Sequence, residues 1–401
     1  MRVPLPQKAV TSRADLAING AMPMFSEPLH VGRPNIGSKE KFLAEAAAML
    51  DRGWLSNNGP LVQELERRIC DYIGVRHCVA MCNGTIALEI ATRALGLKGE
   101  VIVPSYTFVA TAHALQWQEI TPIFADIDPV TQTLDPAAVE RMITPRTTGI
   151  IGVHLWGRPA PVAALQAVAD QHGLRLMFDA SHGFGCTSGG KRLGGFGDCE
   201  VFSFHATKFF NTFEGGAVVT NDDELAEKMR LMRNFGFVAF DKVIYPGTNG
   251  KMTEVAAAMG LVNFDAIDRF IEGNRANYLR YREGLRGVPN LSLIEYDECE
   301  QNNYQYVVLD IGPDFPVSRD RLIEILHAER VLARRYFWPG AHNMEPYRSH
   351  YPHAGLLLPH TAAVADGVLV LPTGSTLGDA HIDGVCSILR AVSNSSVLEQ
   401  P

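Results

Sequence analysis

Val201 to Thr220 reads VFSFHATKFFNTFEGGAVVT. Its two ends, Val201–Phe204 and Ala217–Thr220, are apolar and rich in β-favouring residues, so the stretch reads as strand, loop, strand. The loop carries one lysine, Lys208, among Phe204, Phe209, Phe210 and Phe213. Lysine is seldom buried, and a solvated loop position is one reading of it. The other is a Schiff-base lysine, because an apolar surrounding disfavours the ammonium, lowers the pKa and leaves a neutral amine able to attack an aldehyde.

Outward from this stretch, short apolar runs alternate with helical patterns from about Lys39 to Thr220. The strands are expected near Cys78–Met81, Val101–Val103, Pro122–Ala125, Gly149–His154 and Arg175–Asp179, besides the two already named. Most are continuous Val, Ile, Leu and Phe runs, as in parallel strands covered by helices on both faces. Helices are expected to begin near Gly84, Phe108, Pro136 and Pro161, and one long helical stretch to run from Thr253 to about Leu285. The expected organisation is a loose N-terminal arm (1–23), a large α/β domain (24–252), and the long helix with a smaller α/β domain (253–401).

Composition excludes several classes. A chain of 401 residues with 46% hydrophobic and 20% charged residues is neither disordered nor collagenous. A formal net charge of −8 leaves no basic field for a nucleic-acid backbone. The opening MRVPLPQKAVTSRADL mixes prolines and charges, so neither a signal peptide nor a membrane span is expected there. Seven cysteines without short paired spacing read as free thiols, and the expected location is cytoplasmic.

Arg175–Asp179, RLMFD, ends in an acid at the carboxyl edge of the expected sheet, where α/β proteins bind ligands. A helix cap is the plainer reading of Asp179. Gly183, Gly185 and Gly189 follow GxGxxxG spacing rather than the dinucleotide fingerprint, and Arg192 stands where a phosphate loop needs Ser or Thr. His77, Cys78 and Cys82 match no zinc spacing, and no metal is expected. Gly84 and Thr85, between a strand and a helix, suit either a phosphate or a cap.

Six ordered motifs then stand out: WLSNNGP (54–60), NGT (83–85), VPSYTFVAT (103–111), FDASHGFG (178–185), SFHATK (203–208) and EGGAVVTND (214–222). With them the chain resembles the DegT/StrS-type nucleotide-sugar aminotransferases, which use pyridoxal phosphate on the aspartate-aminotransferase (type I) fold. The resemblance implies a mostly parallel seven-stranded sheet flanked by helices, plus a smaller C-terminal α/β domain. It implies that Lys208 forms the Schiff base and moves the proton, and that Asp179 pairs with the pyridine nitrogen. Gly84, Thr85 and Ser203 would hold the phosphate, Phe108 would stack on the ring, and His182, where glutamine is common, would reach the phenolic oxygen. Asn249 would cross a homodimer interface to the partner's phosphate, although Gly250 and Lys251 replace the usual Tyr and Arg. His205, Glu214, Trp338 and His342 would face the sugar. Relatives that dehydrate or deoxygenate carry histidine in place of the lysine, so Lys208 implies transamination, with L-glutamate as donor. The SFHATKFFNTFEGG segment is closer to members that aminate C4 of dTDP-4-keto-6-deoxyglucose than to 3-aminotransferases acting on a dTDP-3-keto-6-deoxyhexose. A nicotinamide-dependent sugar oxidoreductase is a further alternative, but the glycine fingerprint it needs is missing.

Overall fold

The computed structural model describes residues 3–394. Its centre is a seven-stranded sheet: β1 (His77–Met81), β2 (Glu100–Pro104), β3 (Thr121–Ala125), β4 (Thr147–Val153), β5 (Arg175–Asp179), β6 (Cys199–Ser203) and β7 (Gly216–Thr220). The spatial order is β1-β7-β6-β5-β4-β2-β3. Only β7 runs antiparallel to its neighbours, β1 and β6; the other pairings are parallel. β2 and β7 are buried along their whole length, which accounts for the apolar runs Val101–Val103 and Ala217–Val219 within them. Crossover helices include Gly84–Ala94, capped by the Asn83 side chain at the Ile86 N–H (2.8 Å), and Pro136–Met142, which has Asp135 as its cap and proline in its first turn.

A three-stranded antiparallel sheet, β8 (Leu291–Leu293), β9 (Val307–Ile311) and β10 (Val368–Leu371), forms the C-terminal layer with the helices Arg319–Ala328 and Asp379–Ser393.

Three expectations are corrected. The stretch from Thr253 to Leu285 is two helices, Glu254–Phe264 and Ile267–Gly284. The first is buried on nearly every side, whereas the second has one buried face, so the two meet different surroundings across the break at Asp265–Ala266. Near Phe108 the helix begins only at Ala110. Residues 3–23, expected as a loose arm, are folded into the C-terminal layer: Val3, Val10 and Leu16 join the core that contains Leu309, Leu322 and Ile382. Leu29–His30 pairs in parallel with Val331–Leu332. The anchor is Glu329, fully buried, whose carboxylate accepts from Lys8 Nζ (3.0 Å) and from the backbone N–H groups of Ala17 (2.7 Å) and Met24 (2.6 Å). Three isolated apolar residues in irregular backbone carry no periodicity from which this packing could be read.

Gly189 and Gly190 form the turn of a small hairpin, Thr187–Ser188 with Lys191–Arg192, with φ of 58° and 73°. The GGKR sequence therefore serves a tight turn and precedes no helix. All seven cysteines are free thiols. Among the described residues, no helix is long and apolar enough to cross a membrane.

Candidate active site

A cavity of about 560 Å³ opens at the carboxyl edge of the sheet. Its floor comes from the five loops that leave β1, β2, β4, β5 and β6. Asp179, the last residue of β5, is only 4% exposed. Its carboxylate accepts from the hydroxyls of Thr111 (2.8 Å) and Ser181 (2.6 Å) and from the Ser181 N–H (3.1 Å). Because the Thr111 proton goes to Asp179, Thr107 must donate to Thr111 (2.9 Å), which completes a hydroxyl chain to the cavity surface. Beside Asp179, His154 is held by Glu200 at 3.0 Å and lies flat on Phe178, at 4.7 Å between ring centroids.

Gly84 and Thr85 open their helix against the end of β6. A Cβ at Gly84 would stand 2.9 Å from the Ser203 Cβ, so only glycine lets the helix N-terminus come this close. The first N–H groups of that helix and the Ser203 hydroxyl thus share one corner of the cavity.

Lys208 lies in the loop after β6, where its N–H donates to the His205 carbonyl (2.8 Å). Burial lowers its pKa to about 8, although the Asp179 carboxylate pulls it upward. The direction agrees with the expectation, but the surroundings differ from those expected. Phe204, Phe209 and Phe210 face away from the cavity into a core with Phe184 and Phe264, with ring centroids 4.8 to 6.4 Å apart. They hold the loop from behind. The aromatic cavity wall is instead made by Phe108, Tyr306, Tyr336 and Phe337. Phe108 is 61% exposed, which sets aside a core position for it.

His182 lines the cavity, between Trp156 and Tyr306. Its Nδ1 accepts from the Trp156 N–H (3.4 Å), so the ring proton sits on Nε2 and is donated to the Tyr306 hydroxyl (3.0 Å). Burial, with the nearby Lys208 charge, pushes its pKa well below the usual histidine range and keeps the ring neutral. Both ring nitrogens therefore have partners within the protein, while His182 and Tyr306 both line the cavity.

Thus Gly84, Thr85, Phe108, Asp179, His182, Ser203, His205, Lys208 and Glu214 meet in one cavity. His205 and Glu214 pair at 3.4 Å. Three other residues do not join them. Trp338 turns outward, with its indole N–H on Asp366 (3.2 Å) and Arg335 over its ring. His342 is buried, with its ring on Ser105 (2.6 Å). Asn249 is exposed, outside the cavity, on the segment that bridges to Asn234. Conversely, Tyr306, Arg334, Tyr336 and Phe337 line the cavity without a sequence expectation, and the one signal for them is the aromatic run Tyr336–Trp338.

Among the described residues, no cluster of three or more His, Cys, Asp or Glu side chains could hold a metal ion.

The chain as a whole is similar to known proteins. The chain is 36% identical over 370 residues to the dTDP-4-amino-4,6-dideoxy-D-glucose transaminase of Shigella dysenteriae, covering 92% of this chain and 100% of the relative. It is 35% identical over 370 residues to the GDP-perosamine synthase of Caulobacter vibrioides, covering 91% and 98%. The solved structure of DesI in the presence of its TDP-sugar product superposes with a TM-score of 0.91 at 49% identity, covering 95% of this chain and 97% of that one. A model of the DegT/DnrJ/EryC1/StrS aminotransferases matches residues 37–390, nearly the whole described chain, and the chain belongs to that family of sugar transaminases.

Proposed function

We propose that this protein is a pyridoxal-phosphate-dependent transaminase that converts dTDP-4-keto-6-deoxy-D-glucose to the 4-amino sugar, with L-glutamate as amino donor. The observation that carries this reading is the meeting of Lys208, Asp179 and the Gly84–Ser203 corner in one cavity. The cavity fits the cofactor on chemical grounds. Asp179 is a nearly fully buried carboxylate held by hydroxyls, with no ion-pair partner among the described residues, and such a group calls for a cationic or proton-donating partner. A protonated pyridine nitrogen meets that need. The helix N-terminus at Gly84, with Thr85 and Ser203, suits a dianionic phosphate.

Bound pyridoxal phosphate supplies an electron sink for the carbon that gains or loses the amine. The residues of this chain do the rest. Asp179 would keep the proton on the ring nitrogen, and the hydroxyls of Thr111 and Ser181 fix the position of that carboxylate. Lys208, with its pKa lowered to about 8, is about one-tenth neutral at pH 7, and it holds and moves the proton at Nζ. Phe108 and the wall residues Tyr306, Tyr336 and Phe337 restrict water around that amine. His205 and Glu214 lie beside Lys208 at the cavity surface and would bond sugar hydroxyls.

Amination at C4 and dTDP as the nucleotide are supported by the name of the Shigella relative, and the 49%-identical DesI structure was solved in the presence of its TDP-sugar product. A homodimer is part of the proposal. The exposed hairpin Phe237–Ala239 with Lys242–Val243 carries Phe237, Phe240 and Val243 on its surface, and the exposed Asn249 follows it. The test is visible absorbance of the purified protein loaded with pyridoxal phosphate. A yellow band that L-glutamate bleaches and dTDP-4-keto-6-deoxyglucose restores is the expected result. A band restored only by a 3-keto sugar would reject the C4 assignment, and a protein that forms no band would reject the cofactor.

A further inference from the structure

Four fixed charges line the cavity: Asp179, Lys208, Glu214 and Arg334. The first three are accounted for above, and Arg334 is not. It follows the short strand Val331–Leu332, and its backbone is pinned to β10 by two hydrogen bonds with Val370, at 3.0 and 2.9 Å. Its guanidinium lies 5.1 Å from the Tyr336 ring centroid, a stacked position that holds the planar fork in place. Its neighbour Arg335 pairs with Asp320 at 3.2 Å, whereas among the described residues no carboxylate stands within ion-pair distance of Arg334. Its positive charge is felt at both cavity phenols, Tyr306 and Tyr336, where it works against the upward pull of burial. A fixed cation on a cavity wall, without an internal anion, is arranged for an anion from outside.

We infer that Arg334 holds a carboxylate of the amino donor. The inference rests on the transaminase reading. Both substrates in that reading are anionic, but they carry their charge in different places. In L-glutamate one carboxylate is attached to the reacting carbon and the other lies three bonds along the side chain, so a donor seated at Lys208 keeps both inside the cavity. In a 4-keto sugar the diphosphate hangs from C1, across the ring from the reacting carbon and towards the mouth. Among the described residues Arg334 is the only arginine on the cavity lining, and its two-pronged geometry matches a carboxylate.

The experiment measures the two half-reactions separately in the cofactor-loaded protein, comparing wild type with Arg334→Gln and Arg334→Lys. Bleaching of the visible band is followed against L-glutamate concentration. Restoration of the band is followed against keto-sugar concentration in protein loaded with pyridoxamine phosphate. The expected result is an unchanged resting band and a glutamate requirement raised by about 10- to 100-fold in Arg334→Gln. Arg334→Lys should recover part of the loss, and the sugar half-reaction should keep its concentration dependence. A loss confined to the sugar half-reaction overturns the inference and makes the diphosphate the bound anion; wild-type glutamate dependence in both variants overturns it outright. If Arg334→Gln loses the band, Arg334→Lys carries the comparison, because it keeps the charge without the fork. A wild-type band that ignores glutamate rejects the transaminase reading itself, a failure visible before any variant is made.

Discussion

The floor and the wall of the cavity are built on different principles. The floor is a set of short motifs at the ends of adjacent strands, so Asp179, Ser203 and Lys208 come together because their strands are neighbours in one parallel sheet. Apart from Phe108, the wall comes from the C-terminal layer: Tyr306, Arg334, Tyr336 and Phe337 reach the cavity through pairings such as Arg334 with Val370. Chemistry common to every substrate fits the floor, where position is fixed by backbone hydrogen bonding. Selection among substrates fits the wall, whose side chains can change without disturbing the sheet.

The comparison can be broken first at the floor. Lys208→Ala should reduce turnover by about 10²–10⁴-fold or more and abolish the visible band, while thermal unfolding stays cooperative. If turnover survived, the floor would not be the reacting surface. Asp179→Asn should lower turnover by about 10²–10³-fold, since an amide cannot keep the ring nitrogen protonated, and steady-state kinetics with the purified variant would detect it. The sign of the Lys208 shift gives a third test. Only the neutral amine captures the cofactor, and its pKa is lowered to about 8. The initial rate of band formation on mixing apoprotein with pyridoxal phosphate should therefore rise with pH, by about tenfold per unit well below pH 8, and level off above it. A rise continuing to pH 10 would mean that burial does not lower this pKa.

Behind the wall, Glu329 belongs to architecture. Replacing it with glutamine should cost about 1–3 kcal/mol in a urea melt, because Lys8 loses its anion and one buried N–H loses its acceptor, with the visible band unchanged. The smallest effect is expected at Trp338, which faces outward next to the wall. Trp338→Ala should alter both half-reactions by no more than about 0.5 kcal/mol, roughly twofold. A larger effect would return Trp338 to the site.

The floor was legible in the sequence because its parts are local. An acid closing an apolar strand, a glycine opening a helix and a lysine between two strands each carry their position in a few residues, and the order of the motifs did the rest. The wall was not. The apolar character around Lys208 was read from Phe204, Phe209 and Phe210, its neighbours in sequence, yet their side chains pack away from the cavity. Trp338 is expected at the site, but its neighbour Phe337 lines the cavity, while Trp338 turns to Asp366. Adjacent residues in irregular backbone point in different directions, and no periodicity indicates which.

By itself the sequence determined the alternating architecture and the position of Asp179 and Lys208 at one sheet edge. These follow from hydrophobic periodicity and short-range spacing, which are properties of consecutive residues. Tertiary structure decided which aromatic rings surround the amine, that His182 is locked by Trp156 and Tyr306, that the N-terminal residues close the C-terminal layer, and that Arg334 faces the cavity without a counter-charge. Each of these depends on contacts between residues far apart in the chain, where packing and charge balance are settled by the whole fold.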